Sequence, residues 1–261
     1  MRLSIIVPTR RFTDQVAARL EIHRQLFPAA ELIVVEPADA LPGDVAQDGF
    51  PLADPLLAKA VEPVGNRAAV SASASEQIAD AGIERLHAQR GRGTQCNAGA
   101  ARAKGRLLLF LHDDTALPAE APGVIETAFA DPAAQVACFR LRFDHDHWLL
   151  DRYAFFSRFD SALTSFGDQG ILIRRDFFAA IGGFPDWPLF EYVDLLSRAR
   201  RRTRIKKLPA VVTTSAVRFL ENGILRQQLL NAELMLRFSL GASPESLRRR
   251  YEARRPSSQS N

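Results

Sequence analysis

Three short runs, LSIIVP (3–8), ELIVVE (31–36) and RLLLFL (106–111), are apolar at almost every position. A strand with one wet face alternates apolar and polar residues. A strand covered on both faces has no need to. Runs this short, rich in β-branched residues, are therefore strands buried on both sides. Between the first two, Val16, Leu20, Ile22 and Leu26 recur at near-helical spacing over 13–26. An Ala-rich helix is expected at 94–104, before the third run. Strand and helix alternating in this way imply an α/β chain built on a largely parallel central sheet, with a helical C-terminal part.

The rest of the chain fills in around that frame. QVACFRLRF (135–143) alternates, so one wet face is expected. WLLDRYAFFSRFDSAL (148–163) is expected to form a strongly apolar helix and GILI (170–173) a short strand. A helix turning basic is expected at 191–202. NGILRQQLLNAELMLRFSLG (222–241) is expected to be an amphipathic helix closed by Gly241. Ser243 then caps another helix, with Pro244 in its first turn. Pro37, Pro42, Pro51, Pro55 and Pro63 forbid a long regular element after the second strand, so an irregular surface excursion is expected there. With 261 residues, 47% of them hydrophobic, the chain has ample material for one large core. A single domain is expected over 1–261. Within it, 1–118 and 119–255 are expected to form two halves, with 256–261 a tail.

Charge and cysteine content narrow the partners. The net charge of +4 is concentrated in RARRRTRIKK (198–207) and RRRYEARR (248–255). The first run lacks the interleaved aromatics of a single-strand binding platform, which argues against nucleic acid. Cys96 and Cys138 lack metal or disulfide-framework spacing, so reduced thiols and a cytoplasmic location are expected. No apolar run approaches the ~20 residues that span a bilayer. The segment 222–241 reads as core packing. Its functional alternative is a peripheral contact at the inner membrane face, toward a lipid-linked acceptor.

The chemistry sits where strands end. His112, Asp113 and Asp114 follow the third run directly. In open α/β sheets, ligands bind at the carboxyl ends of strands. Oxygen and imidazole donors there suit Mg²⁺ or Mn²⁺ bound jointly with a substrate phosphate. The first strand ends in VPTRR, which places Thr9 against a nucleoside and Arg10 near a phosphate. Glu36, at the end of the second, is placed to accept hydrogen bonds from a base or ribose. Arg90 and Arg92, with Gly91 and Gly93, open a helix and outline an anion site. No Gly-x-Gly-x-x-Gly or P-loop pattern follows the first strand.

Together these pieces resemble the family 2 glycosyltransferases of GT-A fold. They are most similar to a bacterial subgroup with the stretch RGRxxQxNAGAxxAxGxxLLFLHADTxLP, which reads RGRGTQCNAGAARAKGRLLLFLHDDTALP here (90–118). GDQGILIRRDFFAAIGGFPDWPLFEYVDL (167–195) and TTSAVRF (213–219) resemble further stretches of that subgroup. The resemblance implies a metal-dependent, inverting transfer of sugar from a nucleotide donor to an unknown acceptor hydroxyl. It implies that Pro8, Thr9 and Glu36 line the nucleoside pocket, and that Arg90, Arg92, Gln95, Asn97 and Asp113 face the donor. His112 and Asp114 take the outer positions of the metal motif. Asp168 and Gln169 lie near the donor sugar or acceptor.

At 191–192 the chain departs from the family. Glu-Asp, whose Asp is usually the general base, is Glu191-Tyr192 here, and a phenol is a poor base at neutral pH. Glu191, Asp194 and Asp168 are the remaining carboxylate candidates. Two consequences are expected: slow turnover, and a gain of activity in Tyr192→Asp. The alternative reading is a nucleotide-sugar-binding protein, inactive or weakly active, that has lost its base. Nucleotidyl transfer would share the sheet and metal, but would favour a glycine-rich, lysine-containing loop after the first strand.

Overall fold

The computed structural model describes residues 2–39, 82–161, 164 and 167–254. Its centre is one eight-stranded sheet. In chain order the strands are β1 (Leu3–Pro8), β2 (Glu31–Pro37), β3 (Ile83–Ala88), β4 (Leu107–Phe110), β5 (Thr115–Ala116), β6 (Val136–Phe143), β7 (Ile171–Arg174) and β8 (Ile205–Thr214). They lie side by side as β3-β2-β1-β4-β7-β6-β8-β5. The β3–β2, β2–β1, β1–β4 and β6–β8 pairings are parallel, while β7 runs against both β4 and β6. This is the expected α/β, GT-A-like architecture. The carboxyl ends of β1, β2, β4, β6 and β8 therefore share one edge with the entry to β7.

Continuous apolar runs became the central strands because both faces of the sheet are covered. Leu107, Leu108, Leu109 and Phe110 are all fully buried, and alternate ones point into two different cores. Helix α1 (Asp14–Leu26) covers one face through Val16, Ala17 and Leu20, and Thr13 caps it by accepting from Val16 N–H. Helix α2 (Arg92–Arg102) covers the other through Cys96 and Ala100. It approaches closely because Gly99 has no side chain, as a Cβ there would sit 2.5 Å from Ile6 Cγ2.

The remaining helices are α3 (Ala121–Ala130), α4 (Trp148–Phe156), α5 (Arg175–Ala180), α6 (Glu191–Arg200), α7 (Val217–Asn222), α8 (Ile224–Ser239) and α9 (Pro244–Ala253). Several expectations need correcting. The helix expected over 148–163 ends at Phe156, because Ser157 turns its hydroxyl onto the Ala154 carbonyl and accepts Leu141 N–H of β6. The helix expected over 222–241 begins at Ile224, where Gly223 at φ +80° separates it from α7. Gly241 does close it, with Gly241 N–H on Phe238 and Ala242 N–H on Arg237. Ser243 caps α9 as expected. In β6 only Arg142 is exposed, so the wet face is confined to its second half. The excursion after Pro37 falls almost wholly outside the described residues.

Candidate active site

The turn after β4 is tied on three sides. Leu111 N–H bonds to Ile6 O of β1, and Thr115 N–H bonds back to His112 O. Thr115 also pairs with Thr214 at the end of β8. On the β1 side, the Thr9 hydroxyl lies 2.6 Å from Asp113 Oδ2 and 2.8 Å from the Arg11 carbonyl. Arg19 Nη1 reaches Asp114 O at 3.3 Å. Three consecutive polar residues are thus fixed in different directions on one sheet edge.

His112 is buried, and its Nδ1 donates to Asp168 Oδ1 at 2.6 Å. Asp168 comes from the 3-10 turn Gly167–Gln169, just before β7, so the antiparallel β4–β7 pairing brings the two together. Burial opposes ionisation of Asp168. The charge and hydrogen bond of His112 outweigh it, helped by Arg92 and Arg218, and hold this carboxyl well below its usual range. Asp114 is driven the other way. Burial raises it, Asp168 and Asp113 add like-charge repulsion, and His112 and Arg218 only partly offset these. Its Oδ1 accepts from two hydroxyls, Thr115 and Thr214, each at 3.4 Å.

These two carboxylates give a physical test of the metal expectation. Among the described residues, no three His, Cys, Asp or Glu side chains converge to hold a cation by themselves. Asp114 nevertheless fits one that brings its own phosphate oxygens. It is a hard donor repelled by Asp168 and Asp113, and a cation beside it would offset that repulsion. His112 fits less well as a ligand. Asp168 takes its Nδ1, and its Nε2, without a partner among the described residues, faces Gly167, where a Cβ would come within 2.9 Å. In this arrangement His112 positions Asp168.

The other expected residues divide by what they touch. Pro8 and Thr9 end β1, and Arg10 is exposed beyond them. Glu36 is buried at the same edge. Its Oε1 accepts Phe12 N–H at 2.8 Å and its Oε2 accepts Arg85 Nη2 at 2.6 Å. Gln95 donates to the carbonyls of Thr9 and Val35, stapling β1 to β2. Asn97 bonds both N–H and C=O of Phe184. Arg90 is exposed and pairs with Asp39. Gln169 accepts from Lys207 Nζ at 2.6 Å and donates to Thr164 O. Gln95, Asn97 and Gln169 thus hold the walls of the site by bonds within the protein.

The carboxylate candidates are not equivalent. Glu191 is buried as the first residue of α6, with Arg92 Nη1 at 3.6 Å. The residue before it, Phe190, sits at φ +66° and stacks on Phe238 at 4.6 Å. A non-glycine residue in that region costs about 1–3 kcal/mol. Asp194 is held by Arg198, which also bonds Ile181 O and Gly183 O. The pair thereby braces the turn after α5. Tyr192 lies in the core. Its ring is edge-on to Phe184 and His112, its hydroxyl is 3.5 Å from Cys96 Sγ, and burial pushes it well above its usual range. Arg218 was given no role from sequence, although TTSAVRF contains it. It stands at the start of α7 and acts electrostatically on both Asp114 and Asp168.

No family model matches the chain, and no curated protein does. Solved structures do share its fold. One is the mannosyltransferase PcManGT from Pyrobaculum calidifontis in complex with GDP-Man and Mn²⁺. It has a TM-score of 0.52 and 18% identity, over 81% of this chain and 56% of that one. Another is S. aureus TarS 1–349, with a TM-score of 0.53 and 15% identity, over 83% of this chain and 61% of that one. The chain therefore spans about three-fifths of the length of these structures. At such identities the likeness is one of fold.

Proposed function

We propose that this chain transfers a sugar from a nucleoside diphosphate sugar to an acceptor hydroxyl, with inversion. One observation carries the reading: at the carboxyl edge of the parallel strands Asp114 and Asp168 act electrostatically on each other and on Arg92, and Arg218 acts on both. Carboxylates and arginines so coupled suit a diphosphate and its counter-ion better than a neutral ligand. A divalent cation, Mn²⁺ or Mg²⁺, held by Asp114 and by the donor's own phosphate oxygens, would neutralise the diphosphate leaving group. Thr9 and Asp113 form the floor of the nucleoside pocket. Glu36 shapes its wall by holding Arg85 and Phe12 N–H. Arg10, Arg90 and Arg92 supply positive charge toward the phosphates.

In the reaction the acceptor oxygen bonds to the anomeric carbon as the carbon–oxygen bond to the diphosphate breaks. The hydroxyl proton passes to a carboxylate. Asp168 is our choice for that base, because Asp194 is held by Arg198 and Glu191 is buried against Arg92. Its low pKa makes it a weak base at neutral pH. This favours a second reading, a nucleotide-sugar binder with little turnover. The acceptor is left as a hydroxyl compound of unknown class.

Thermal shifts with UDP- and GDP-sugars, with and without Mn²⁺, test donor binding, since a ligand selective for the folded state raises its stability. Release of nucleoside diphosphate from the same donors tests turnover. Mn²⁺-dependent stabilisation with measurable release supports the transferase. Stabilisation without release supports the binder, and stabilisation by no sugar nucleotide overturns both.

A further inference from the structure

Helix α8 is apolar on two faces. Leu230 and Leu234 point inward and pack with Leu247 of α9. On the outside, Leu225 (63% exposed), Leu229 (63%), Leu236 (60%) and Leu240 (79%) remain in solvent. At α-helical spacing the four fall within about 60° of arc, and exposed Ala232 continues the stripe. A surface helix needs a single apolar stripe to pack on its own protein. Helix α4, which packs beside α8, repeats the pattern with bulkier groups. Trp148 is 65% exposed, and Phe155, Phe156 and Phe159 are each about half exposed. The three phenylalanine rings contact one another above the surface.

Arginine borders both ridges. Arg152 and Arg158 flank the aromatic one, and the Arg158 guanidinium lies 3.9 Å over the Phe155 ring. Arg226 and Arg237 lie along one side of the leucine stripe, Arg237 paired with Glu233 at 2.8 Å. Residues 217–255 contain eight arginines against four glutamates, an excess equal to that of the whole chain. Beneath Phe155, a groove of about 270 Å³ runs between α4 and the sheet, lined by Arg140, Asp151, Phe155 and Arg158. The buried Nε of Arg140 has no hydrogen-bond partner among the described residues.

We propose that α4 and α8 together form a docking face for an anionic lipid bilayer. The aromatic rings and leucines enter the interface, and a lipid headgroup phosphate takes the Arg140–Arg158 groove. Amphipathic arginine- and aromatic-bearing helices bind membranes in this way. Pairing the face with a second copy would set arginines against arginines, whereas anionic headgroups complement them. The proposal stands apart from the transfer reading, because vesicle binding needs no nucleotide.

The test is flotation of the full chain with vesicles of phosphatidylcholine alone or mixed with phosphatidylglycerol. Trp148 emission is followed in a Trp187→Phe background. Binding to the anionic vesicles should be about tenfold or more tighter than to the neutral ones, weaken with salt, and shift Trp148 emission to the blue. Phe155→Ser/Phe156→Ser and Leu229→Gln/Leu236→Gln, all at exposed positions, should each weaken it by about tenfold or more. Arg140→Gln should reduce the preference for the anionic lipid. Failure to bind anionic vesicles, or binding unchanged in the double variants, overturns the proposal. So does a dimer in sedimentation that is lost in Leu229→Gln/Leu236→Gln, which would give the face to a second copy.

Discussion

Replacing Tyr192 by Asp separates a family pattern from the packing of this chain. The pattern suggests that an aspartate there restores a base. The structure places the side chain in the core, only 4% exposed, with Phe184 and His112 edge-on at 4.9 and 5.3 Å. Losing a buried aromatic of this size costs about 3–5 kcal/mol. The new carboxylate must also ionise next to buried Glu191 or take up a proton, and either adds to the cost. Tyr192→Asp should therefore lose at least about 4 kcal/mol in urea unfolding, a large part of a typical domain's stability. Tyr192→Phe keeps the ring and gives up a single contact with Cys96 Sγ, so it should stay within about 1 kcal/mol of the parent. If Tyr192→Asp unfolds within about 1 kcal/mol of the parent and gains activity, residue 192 opens into the site and the core placement is wrong.

Further outcomes follow from individual contacts. Gly167→Ala places a Cβ 2.7 Å from the Tyr192 ring and 2.9 Å from His112 Nε2; it should cost about 1–3 kcal/mol and weaken nucleotide binding, read by melting temperature and titration. Asp168→Asn should leave the fold intact and reduce nucleoside diphosphate release by about 10²–10⁴; unchanged release would remove Asp168 from the chemistry. Burial, reinforced by the charge of Arg19, pushes His23 down to about 3. Its stabilising effect is complete above about pH 6.5, the unfolded value, and is lost as pH falls toward 3. Urea midpoints should reveal about 2 kcal/mol lost between pH 6.5 and 5, and His23→Leu should flatten that slope.

What could be read from the sequence depended on how locally it was encoded. LSIIVP, ELIVVE and RLLLFL announced strands because burial on both faces leaves a continuous apolar run. The position of His112–Asp114 followed, since a residue after such a strand must emerge at its carboxyl edge. Strand β3 did not announce itself. It is a sheet-edge strand in which Ile83 alone is buried, so IERLHA carries little apolar signal. The His112–Asp168 bond was equally hidden, because it depends on β7 running antiparallel beside β4 across more than fifty residues of chain. Gln95 and Asn97 looked like donor ligands in a motif, yet their amides meet backbone of β1, β2 and the Phe184 turn. At Tyr192 the surrounding motif suggested a site position. Only the closure of Phe184, Gly167 and Cys96 around the ring shows it as core.

The most direct test of the central claim is calorimetric titration of wild type and Asp114→Ala with UDP and GDP, with Mn²⁺ present and absent. The Asp114 carboxylate accepts only long bonds from two hydroxyls among the described residues, Thr115 and Thr214 at 3.4 Å, so its removal should leave the fold standing. The account predicts Mn²⁺-dependent binding of a nucleoside diphosphate by wild type, and loss of that dependence in Asp114→Ala with an unchanged melting temperature for the free protein. Mn²⁺-dependent binding of equal strength in both proteins would contradict it.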